Sequence, residues 1–388
     1  MPFELTDTQR SIRDVIRDFA RREVAPGARD RDESGVFPLE LVRRLGALDA
    51  MGITVPVEDG GLGLDTMTQL LAIEEIAAAD AALASIYTAH LLALEVLTLS
   101  ATADQRVRYL PALASGSLLA AFALTEPGAG SDIASMTTSA RRDGDGWVLR
   151  GEKTYISNGA EADLLVVFAK SDPAAGFRGI SGFLVHRGSP GLSFSSPQDK
   201  CGIRSAGTYS VYFDDVAVGA ADVIGAIGTG GKLALSALNR ARIDVAAMAN
   251  GIAARALQLA MAFATSRRQF DTPLRDFQAI QLMLGEMDAR LEAARVTASW
   301  AAAEKDNGAD LRRAGSITKW TATEHCFQIV DMAVQIHGGA GFMRESEIER
   351  LYRDSRILRI FEGTSQIQLL TIAGVLAGTF DTTSEVAA

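Results

Sequence analysis

The chain has 388 residues, of which 48 % are hydrophobic and 22 % charged, and its formal net charge is −10. This length predicts about two to three domains, and the composition is typical of a globular protein. The negative charge argues against nucleic acid or an anionic membrane as the partner. Cys201 and Cys326 form no pattern of a disulfide scaffold or a zinc site, so we expect reduced thiols in a cytoplasmic protein without a metal.

The first part of the chain has the apolar spacing of α-helices. Thr6 and Gln9 are spaced as in a capping box, and apolar residues then recur at intervals of three and four. Further helices are predicted near 38–51 and over 66–100, with a glycine-rich turn at 59–65 between them. We therefore expect a helical domain here.

Residues 81–100 form the most membrane-like segment of the sequence. They include His90 and Glu95, so we interpret them as a helix buried in protein rather than a bilayer span. The N-terminus lacks the apolar stretch of a secretory signal. We expect no membrane span.

From about residue 121 the pattern changes to short apolar segments separated by turn residues. The predicted strands are 147–149, 154–157, 164–169, 180–186 and 209–213. No helical segment intervenes, so an antiparallel sheet or barrel is favoured over a parallel, doubly wound one.

From about residue 232 the pattern returns to long amphipathic helices joined by short polar loops, as in an antiparallel bundle. The predicted helices are 231–265, 274–305, 309–338 and 365–379. The chain is therefore predicted to be an α+β multidomain protein. Its expected parts are an N-terminal helical domain (1–120), a middle β domain (121–231) and a C-terminal four-helix bundle (232–388).

The segment GAIGTGGK at 225–232 resembles a phosphate-binding loop but fails the tests for one. Ala226 stands where a P-loop needs glycine, Leu233 follows the lysine where serine or threonine is needed, and the segment is not GxGxxG. We interpret it as a flexible connection between sheet and bundle. GxSxG, the nucleophile motif of serine hydrolases, is also absent from the sequence.

Three segments are dense in residue types that perform chemistry or approach ligands closely. AFALTEPGAGSD (121–132) carries an apolar strand into a glycine-rich turn, although an ordinary turn would look the same. QIHGGAGF (335–342) has paired glycines that let backbone approach a flat ligand or a phosphate. Taken alone, that segment is more typical of a helix C-terminus.

The third segment, RIFEGTSQIQ (359–368), places Glu362 between Phe361 and Gly363, just before a helix start with Thr364 or Ser365 as N-cap. A carboxylate in apolar surroundings is poorly solvated and well suited to act as a base. Spacing alone leaves a solvated loop glutamate as the alternative.

These segments resemble the acyl-CoA dehydrogenase family, and the resemblance covers nearly the whole chain. TEPGAGSD (125–132) is similar to the first signature of that family. The stretch 335–368 is similar to the second, and SRRQFDTPLRDFQAIQ (266–281) matches the link between two C-terminal helices. LTDTQRSIRD, PVEDGGLGLD and RYLPALASG match in the N-terminal part, and several motifs in the right order are more specific than any one.

The resemblance implies a three-domain flavoprotein of the short- or medium-chain type that binds FAD without a Rossmann motif. It further implies an acyl-CoA substrate, a role in fatty acid and lipid metabolism, and an electron-transferring flavoprotein as electron acceptor. Members of the family are usually homotetramers that share FAD across a subunit boundary.

The resemblance also implies roles for individual residues, with Glu362 at the position of the catalytic base. The expected flavin-ring contacts are Phe122, Leu124, Thr125, Tyr155 and Ser157. The residues expected to hold the rest of FAD, partly from a neighbouring subunit, are Arg267, Phe270, Gln278, Gln335, Gly338, Gly339, Thr364 and Gln366. The expected substrate contacts are Ser131, Asn239, Arg242 and Gly363, and Ser131 is also expected to contact the cofactor.

The chain departs from the family pattern at four positions. Phe361 replaces a common tyrosine, and Asn239 replaces a common aspartate near the CoA adenine. Ala241 occupies the position where some subfamilies place an alternative glutamate base, which favours Glu362 as the base here. Leu83 falls near an arginine of the decarboxylating glutaryl-CoA enzymes, which speaks against a dicarboxyl substrate.

In the mechanism that the resemblance implies, Glu362 takes the α proton of the thioester while the β hydride passes to flavin N5, giving the trans-2-enoyl-CoA. The Glu362 backbone N–H and a flavin ribityl hydroxyl polarise the thioester carbonyl. Three alternatives stay open: an oxygen-using flavoenzyme of a biosynthetic pathway, an enzyme acting on a carrier-protein thioester, and a non-catalytic binding protein. Residues 82–95 are expected to line the acyl pocket, whose chain specificity stays undetermined.

Overall fold

The computed structural model describes residues 4–383, with side chains through residue 378. Its α-helices are α1 Asp7–Phe19, α2 Ala28–Ser34, α3 Leu39–Ala47, α4 Thr66–Ala79, α5 Ala81–Ser100, α6 Ala103–Ala114, α7 Gly230–Ser266, α8 Gln278–Asp306, α9 Leu311–His337, α10 Glu347–Ser355 and α11 Ser365–Thr383. Its strands are β1 Ala120–Ala123, β2 Ser139–Asp143, β3 Gly146–Ser157, β4 Leu164–Lys170, β5 Ile180–His186, β6 Leu192–Phe194, β7 Thr208–Val218, β8 Val223–Ile224, β9 Arg268–Gln269 and β10 Thr272–Pro273. The chain therefore has helices, then a sheet, then helices, as the sequence predicts.

The first helix begins as predicted, with Thr6 as N-cap and a complete capping box with Gln9. The stretch 66–100 is helical, as predicted, but it forms two helices because the chain breaks at Asp80. This residue is extended (φ −156°, ψ 107°), and its carboxylate accepts a hydrogen bond from the Ala82 N–H and so begins α5. The Asp80 carboxylate also accepts from Arg31 Nε at 2.8 Å, which fixes the break in space.

Several elements differ from their predicted bounds or were not predicted. The helix near 38–51 ends at Ala47, and Asp49 then adopts a left-handed φ of 55°. Two predicted strands, 147–149 and 154–157, belong to the single strand β3. The elements that were not predicted are α2, α6, α10, β2, β6, β8 and the β9–β10 hairpin. They are short or lack a clear apolar period, so tertiary contacts decide them.

The main sheet is predominantly antiparallel, with two parallel pairings, β1 with β4 and the single residue pair that joins β2 to β4. The strand order is β6-β7-β3-β2-β4-β5-β8, and β1 pairs with β4 outside this path. The β1–β4 ladder is parallel, from Ala120 opposite Leu164 to Ala123 opposite Val167. Because β1 alternates between the two faces, Ala121 and Ala123 enter the core of the sheet domain, whereas Phe122 and Leu124 face the large helical core.

The C-terminal helices α7, α8, α9 and α11 pack together, and α7 also crosses α4 and α5 of the first helical region. The crossing with α4 is close at Gly251, where a Cβ would lie 2.3 Å from the carbonyl oxygen of Glu74. The interpretation of 225–232 as a flexible connection is wrong for its second half, since Gly230 and Gly231 form the buried first turn of α7.

Within the described residues, two helices, α5 and α7, are long and apolar enough to cross a membrane by length and composition alone. Their most apolar windows are 78 % and 61 % buried inside the protein. This burial agrees with the interpretation of 81–100 as a helix buried in protein.

Candidate active site

The loop between α10 and α11 has an unusual backbone at its centre. Glu362 and Gly363 have consecutive positive φ angles of 52° and 94°. Such angles are costly for a residue with a side chain, and they persist only where surrounding contacts hold them. The loop ends at Thr364, whose hydroxyl accepts a hydrogen bond from the Ile367 N–H at 3.2 Å and caps α11.

Two buried side chains hold this backbone from the protein interior. Lys319 of α9 is 0 % exposed, and its Nζ donates to the Gly363 carbonyl at 2.7 Å. The Nε2 of Gln368 donates to the same oxygen at 2.9 Å and to the Glu362 carbonyl at 3.3 Å. With both carbonyls turned inward, the backbone N–H of Glu362 has no hydrogen-bond partner among residues 4–383.

The carboxylate of Glu362 is desolvated. Its Oε2 is buried and accepts no hydrogen bond within the described part of the chain. Burial, and after it the Asp244 carboxylate of α7, raise the pKa of Glu362 to about 8 against the opposing effects of Lys319 and Arg242. A carboxylate of this kind binds a proton near neutral pH and is suited to general-base work.

Arg242 lies on α7 beside this loop. Its Nη1 donates to Asn239 Oδ1 at 2.7 Å and to Ser316 Oγ at 3.0 Å. Burial lowers the pKa of Arg242 to about 10, so the group remains a cation at neutral pH. Its Nε is buried without a partner among the described residues. Asn239, Arg242, Glu362 and Gly363 thus lie close together in the structure.

A second cluster forms where β1 ends beside β3. The Thr154 N–H donates to the Thr125 carbonyl at 2.9 Å and joins the two segments. Tyr155 has a left-handed φ of 57° and is 67 % exposed. The Phe122 ring lies 5.2 Å from that of Phe168. This arrangement places Phe122, Leu124, Thr125, Tyr155 and Ser157 on adjoining segments of one sheet.

A buried ion pair supports this second cluster from below. Lys153 Nζ donates to Glu126 Oε1 at 2.8 Å and to the Leu124 carbonyl at 2.9 Å. Burial raises the pKa of Glu126, but Lys153 and hydrogen bonds from Thr137 and Thr138 outweigh it and bring this pKa to about 2. The pair fixes the chain on both sides of Thr125.

The remaining predicted residues lie on the surface of the C-terminal region or in the turn after β1. The exposed ones are Ser131, Arg267, Phe270, Gln278, Gln335, Gly338, Gly339 and Gln366. No hydrogen bond within residues 4–383 joins the C-terminal members of this set to the β1–β3 cluster. A single subunit therefore presents them to solvent.

Sequence reasoning missed Lys319, Asp244 and the Lys153–Glu126 pair. A signal existed for the first two, because each is a charged residue within an otherwise buried helical stretch. Charges in such positions are uncommon unless they are paired or functional. Nothing in the spacing, however, places either beside Glu362.

Three family models match the chain in succession. They are the acyl-CoA dehydrogenase N-terminal domain over residues 6–117, the middle domain over 121–216 and the C-terminal domain over 228–377. Together they span most of the sequence in the order of its three structural regions.

Individual relatives agree with these matches over nearly full length. The chain is 40 % identical to the 3-(aryl)acrylate reductase of Clostridium sporogenes, covering 96 % of this chain and 99 % of that protein. It is also 40 % identical to the short-chain specific acyl-CoA dehydrogenase of Bos taurus mitochondria, covering 96 % and 91 %. The structure of butyryl-CoA dehydrogenase from Megasphaera elsdenii superposes with a TM-score of 0.95 at 36 % identity, covering 97 % and 100 %. The chain therefore belongs to the acyl-CoA dehydrogenase family of FAD-dependent oxidoreductases.

Proposed function

We propose that this protein oxidises the Cα–Cβ bond of an acyl-CoA thioester to the trans-2-enoyl-CoA, with Glu362 as the base that removes the α proton. The observation that carries the proposal is the desolvated carboxylate of Glu362, whose Oε2 has no partner among the described residues. The strained backbone holds this carboxylate beside Arg242 and Lys319. The carboxylate therefore has a raised affinity for a proton and a fixed orientation.

The residues around the β1–β3 cluster fit a flavin. Phe122, Leu124 and Tyr155 offer apolar and aromatic surface, and Thr125 and Ser157 offer hydroxyl groups for the polar edges of the ring. The turn after Thr125 is open as well, since a Cβ at Gly128 or Gly130 would meet nothing within 4 Å. FAD, when bound, supplies the acceptor for the hydride that leaves the β carbon.

The exposed C-terminal set fits the remainder of FAD in a shared site. Arg267 and the 89 % exposed Phe270 offer a cation and an aromatic surface, and α11 offers its N-terminal N–H groups to a phosphate. Because these residues face solvent in one subunit, a neighbouring copy can present them to its partner. We therefore propose a homotetramer with FAD held across a subunit boundary by Arg267, Phe270, Gln278, Gln335, Gly338, Gly339, Thr364 and Gln366.

The α-proton of a thioester is a weak acid, so the carbonyl must be polarised as the proton leaves. The Glu362 N–H, which donates to no described residue, is the donor that the chain itself provides. A donor of this kind in a dry site contributes about 3 kcal/mol to stabilising the enolate-like transition state. Ser131, Asn239, Arg242 and Gly363 are proposed to position the CoA thioester.

Four further properties belong to the same proposal. They are an electron-transferring flavoprotein as electron acceptor, a role in fatty acid metabolism, a cytoplasmic location, and domain boundaries near residues 120 and 231. The ends of the three family matches support these boundaries.

The experiment compares wild type, Glu362→Gln and the surface control Glu345→Gln. The purified flavoprotein is mixed anaerobically with saturated acyl-CoAs, and the visible absorbance of the oxidised flavin is followed over time. We expect bleaching by wild type and the control, and at least a thousandfold slower bleaching by Glu362→Gln, because the base is lost. Bleaching by Glu362→Gln at the wild-type rate would contradict the role of Glu362. Stoichiometric oxygen consumption would instead indicate an oxidase.

A further inference from the structure

A polar cavity of about 230 Å³ lies between α4, α5, α7 and α8. The side chains that matter here are Thr54, Gln69, Glu95, Arg240, Lys305 and Asp306. The α5 side of the cavity also carries Leu91 and Leu94, which belong to the stretch expected from the sequence to line the acyl pocket. A cavity of this size holds several water molecules or a ligand fragment.

The cavity is linked through Gln69 and Asp244 to residues 356–364, the loop between α10 and α11 that holds Glu362 and is the catalytic loop of the proposed function. Gln69, which lines it, donates to Asp244 Oδ1 at 2.8 Å. Asp244 in turn acts on Glu362, and its carboxylate is the charge that does most to raise the pKa of that residue. Arg240 stands one turn before Asp244 on α7, about 6 Å along the helix.

The carboxylate and amide oxygens of the cavity each accept at least one hydrogen bond from the protein. Glu95 accepts from Arg240 Nε at 2.5 Å and from Lys305 Nζ at 2.9 Å, one bond at each oxygen. Both oxygens of Asp306 accept from Thr66. The Gln69 carbonyl accepts from the Thr54 hydroxyl at 2.9 Å.

The donors are not all occupied. The two terminal nitrogens of Arg240 have no partner among the described residues, and Lys305 Nζ donates one hydrogen bond, to Glu95, of the three that it can make. A ligand that accepts hydrogen bonds can therefore pair with the unused N–H groups of this cavity.

The charges exclude an anionic ligand. The cations of Arg240 and Lys305 are balanced by the carboxylates of Glu95 and Asp306, and Asp244 adds a further negative charge beside Gln69. A carboxylate brought into this balanced cavity would be desolvated without a spare cation and would approach Asp244. An uncharged oxygen avoids both penalties.

We propose that this cavity receives the far end of the acyl group and selects acyl groups that end in an uncharged oxygen acceptor, a hydroxyl or a carbonyl. The inference rests on the proposed function, because it assigns the substrate class of the same site. It makes Arg240 and Lys305 specificity-determining residues that act far from the reacting carbons.

The test compares hexanoyl-CoA, ω-hydroxyhexanoyl-CoA and the mono-CoA ester of adipic acid, with kcat/KM measured for each. We expect ω-hydroxyhexanoyl-CoA to be preferred over hexanoyl-CoA by about tenfold, and the adipoyl ester to be the poorest of the three. Arg240→Met should bring the hydroxyl preference close to one. Arg240→Gln, which keeps an N–H donor without the charge, should retain part of the preference for ω-hydroxyhexanoyl-CoA over hexanoyl-CoA. Because the readout is a ratio within each variant, a general loss of folding or activity cancels.

The outcomes separate the inference from the function beneath it. Equal rates for the hexanoyl and ω-hydroxyhexanoyl esters, or a preference for the adipoyl ester, would overturn the inference and leave acyl-CoA oxidation standing. An unchanged hydroxyl preference in Arg240→Met would also overturn it. Failure of every acyl-CoA to bleach the flavin, butyryl-CoA included, would overturn the proposed function and the inference with it.

Discussion

At the scale of single residues, the pKa of Glu362 depends on buried charges of both signs. Arg242 belongs to the proposed substrate contacts, whereas Asp244 and Lys319 do not. Asp244 raises the pKa of Glu362, and Lys319 lowers it, on top of the larger upward shift from burial. The two charges come from different helices, α7 and α9, and neither adjoins Glu362 in the sequence. Each can therefore be substituted without altering the sequence of the loop that holds Glu362.

The activity of wild type should rise with pH and level off above about 8, because the base works in its ionised form and burial sets its pKa near that value. In Asp244→Asn the amide oxygen still accepts from Gln69, but the negative charge is gone. Ionised Glu362 is then less disfavoured, and the rising limb of kcat/KM should move to lower pH. A pH–rate profile with the preferred acyl-CoA measures this shift.

Lys319→Met should have the opposite effect, because it removes a cation that stabilises ionised Glu362, and the limb should move to higher pH. The rate on the plateau should also fall by about tenfold, since the Gly363 carbonyl loses its donor. Lys200→Met is the matched control, because Lys200 is largely buried but bonds Thr208, away from the loop. Equal pH–rate profiles for wild type, Asp244→Asn and Lys319→Met would show that these charges do not set the pKa of Glu362.

At the scale of secondary-structure elements, the break between α4 and α5 is a feature that the apolar pattern of the sequence does not predict. The stretch 66–100 is apolar enough to continue as one helix, yet the side chain of Asp80 caps α5 and bonds Arg31. The break aims α5 across the end of β1 and along α7, where it lines the polar cavity.

Asp80→Ala should lower the free energy of unfolding by about 2 kcal/mol, through loss of the helix cap and of the partner of Arg31. Asp80→Asn should be less destabilising, because asparagine caps as well as aspartate and loses only the charge. Denaturant unfolding of the FAD-loaded protein measures both. A larger effect for asparagine than for alanine would show that the cap does not hold the break.

At the scale of the whole molecule, exposed apolar side chains concentrate on the C-terminal region. Phe270 is 89 % exposed and Phe342 79 %, and Leu282 and Leu370 are also largely exposed. Large apolar side chains of this kind mark surfaces that become buried in an assembly. The FAD-binding residues predicted for a neighbouring subunit lie on the same region.

Phe270→Asp should reduce both the apparent mass in solution and the FAD content, because one surface is proposed to serve assembly and cofactor binding. Light scattering on a gel-filtration column and the ratio of flavin to protein absorbance measure the two together. Val107→Asp is the matched control, since Val107 is 80 % exposed on α6. Unchanged mass and flavin content in Phe270→Asp would argue against a shared site.

The sequence by itself determined the order of helices, sheet and helices, because apolar periods of 3.6 and 2 are local properties of the chain. It also determined that Glu362 lies in an apolar loop before a capped helix, since a few neighbouring residues define that environment. Only the tertiary structure decided that Lys319 holds the Gly363 carbonyl and that Asp244 opposes ionisation of Glu362. It alone also shows the donor-rich cavity between α4, α5, α7 and α8. These are contacts between helices far apart in the chain, and their direction depends on how α7, α9 and the catalytic loop pack, which no local spacing encodes.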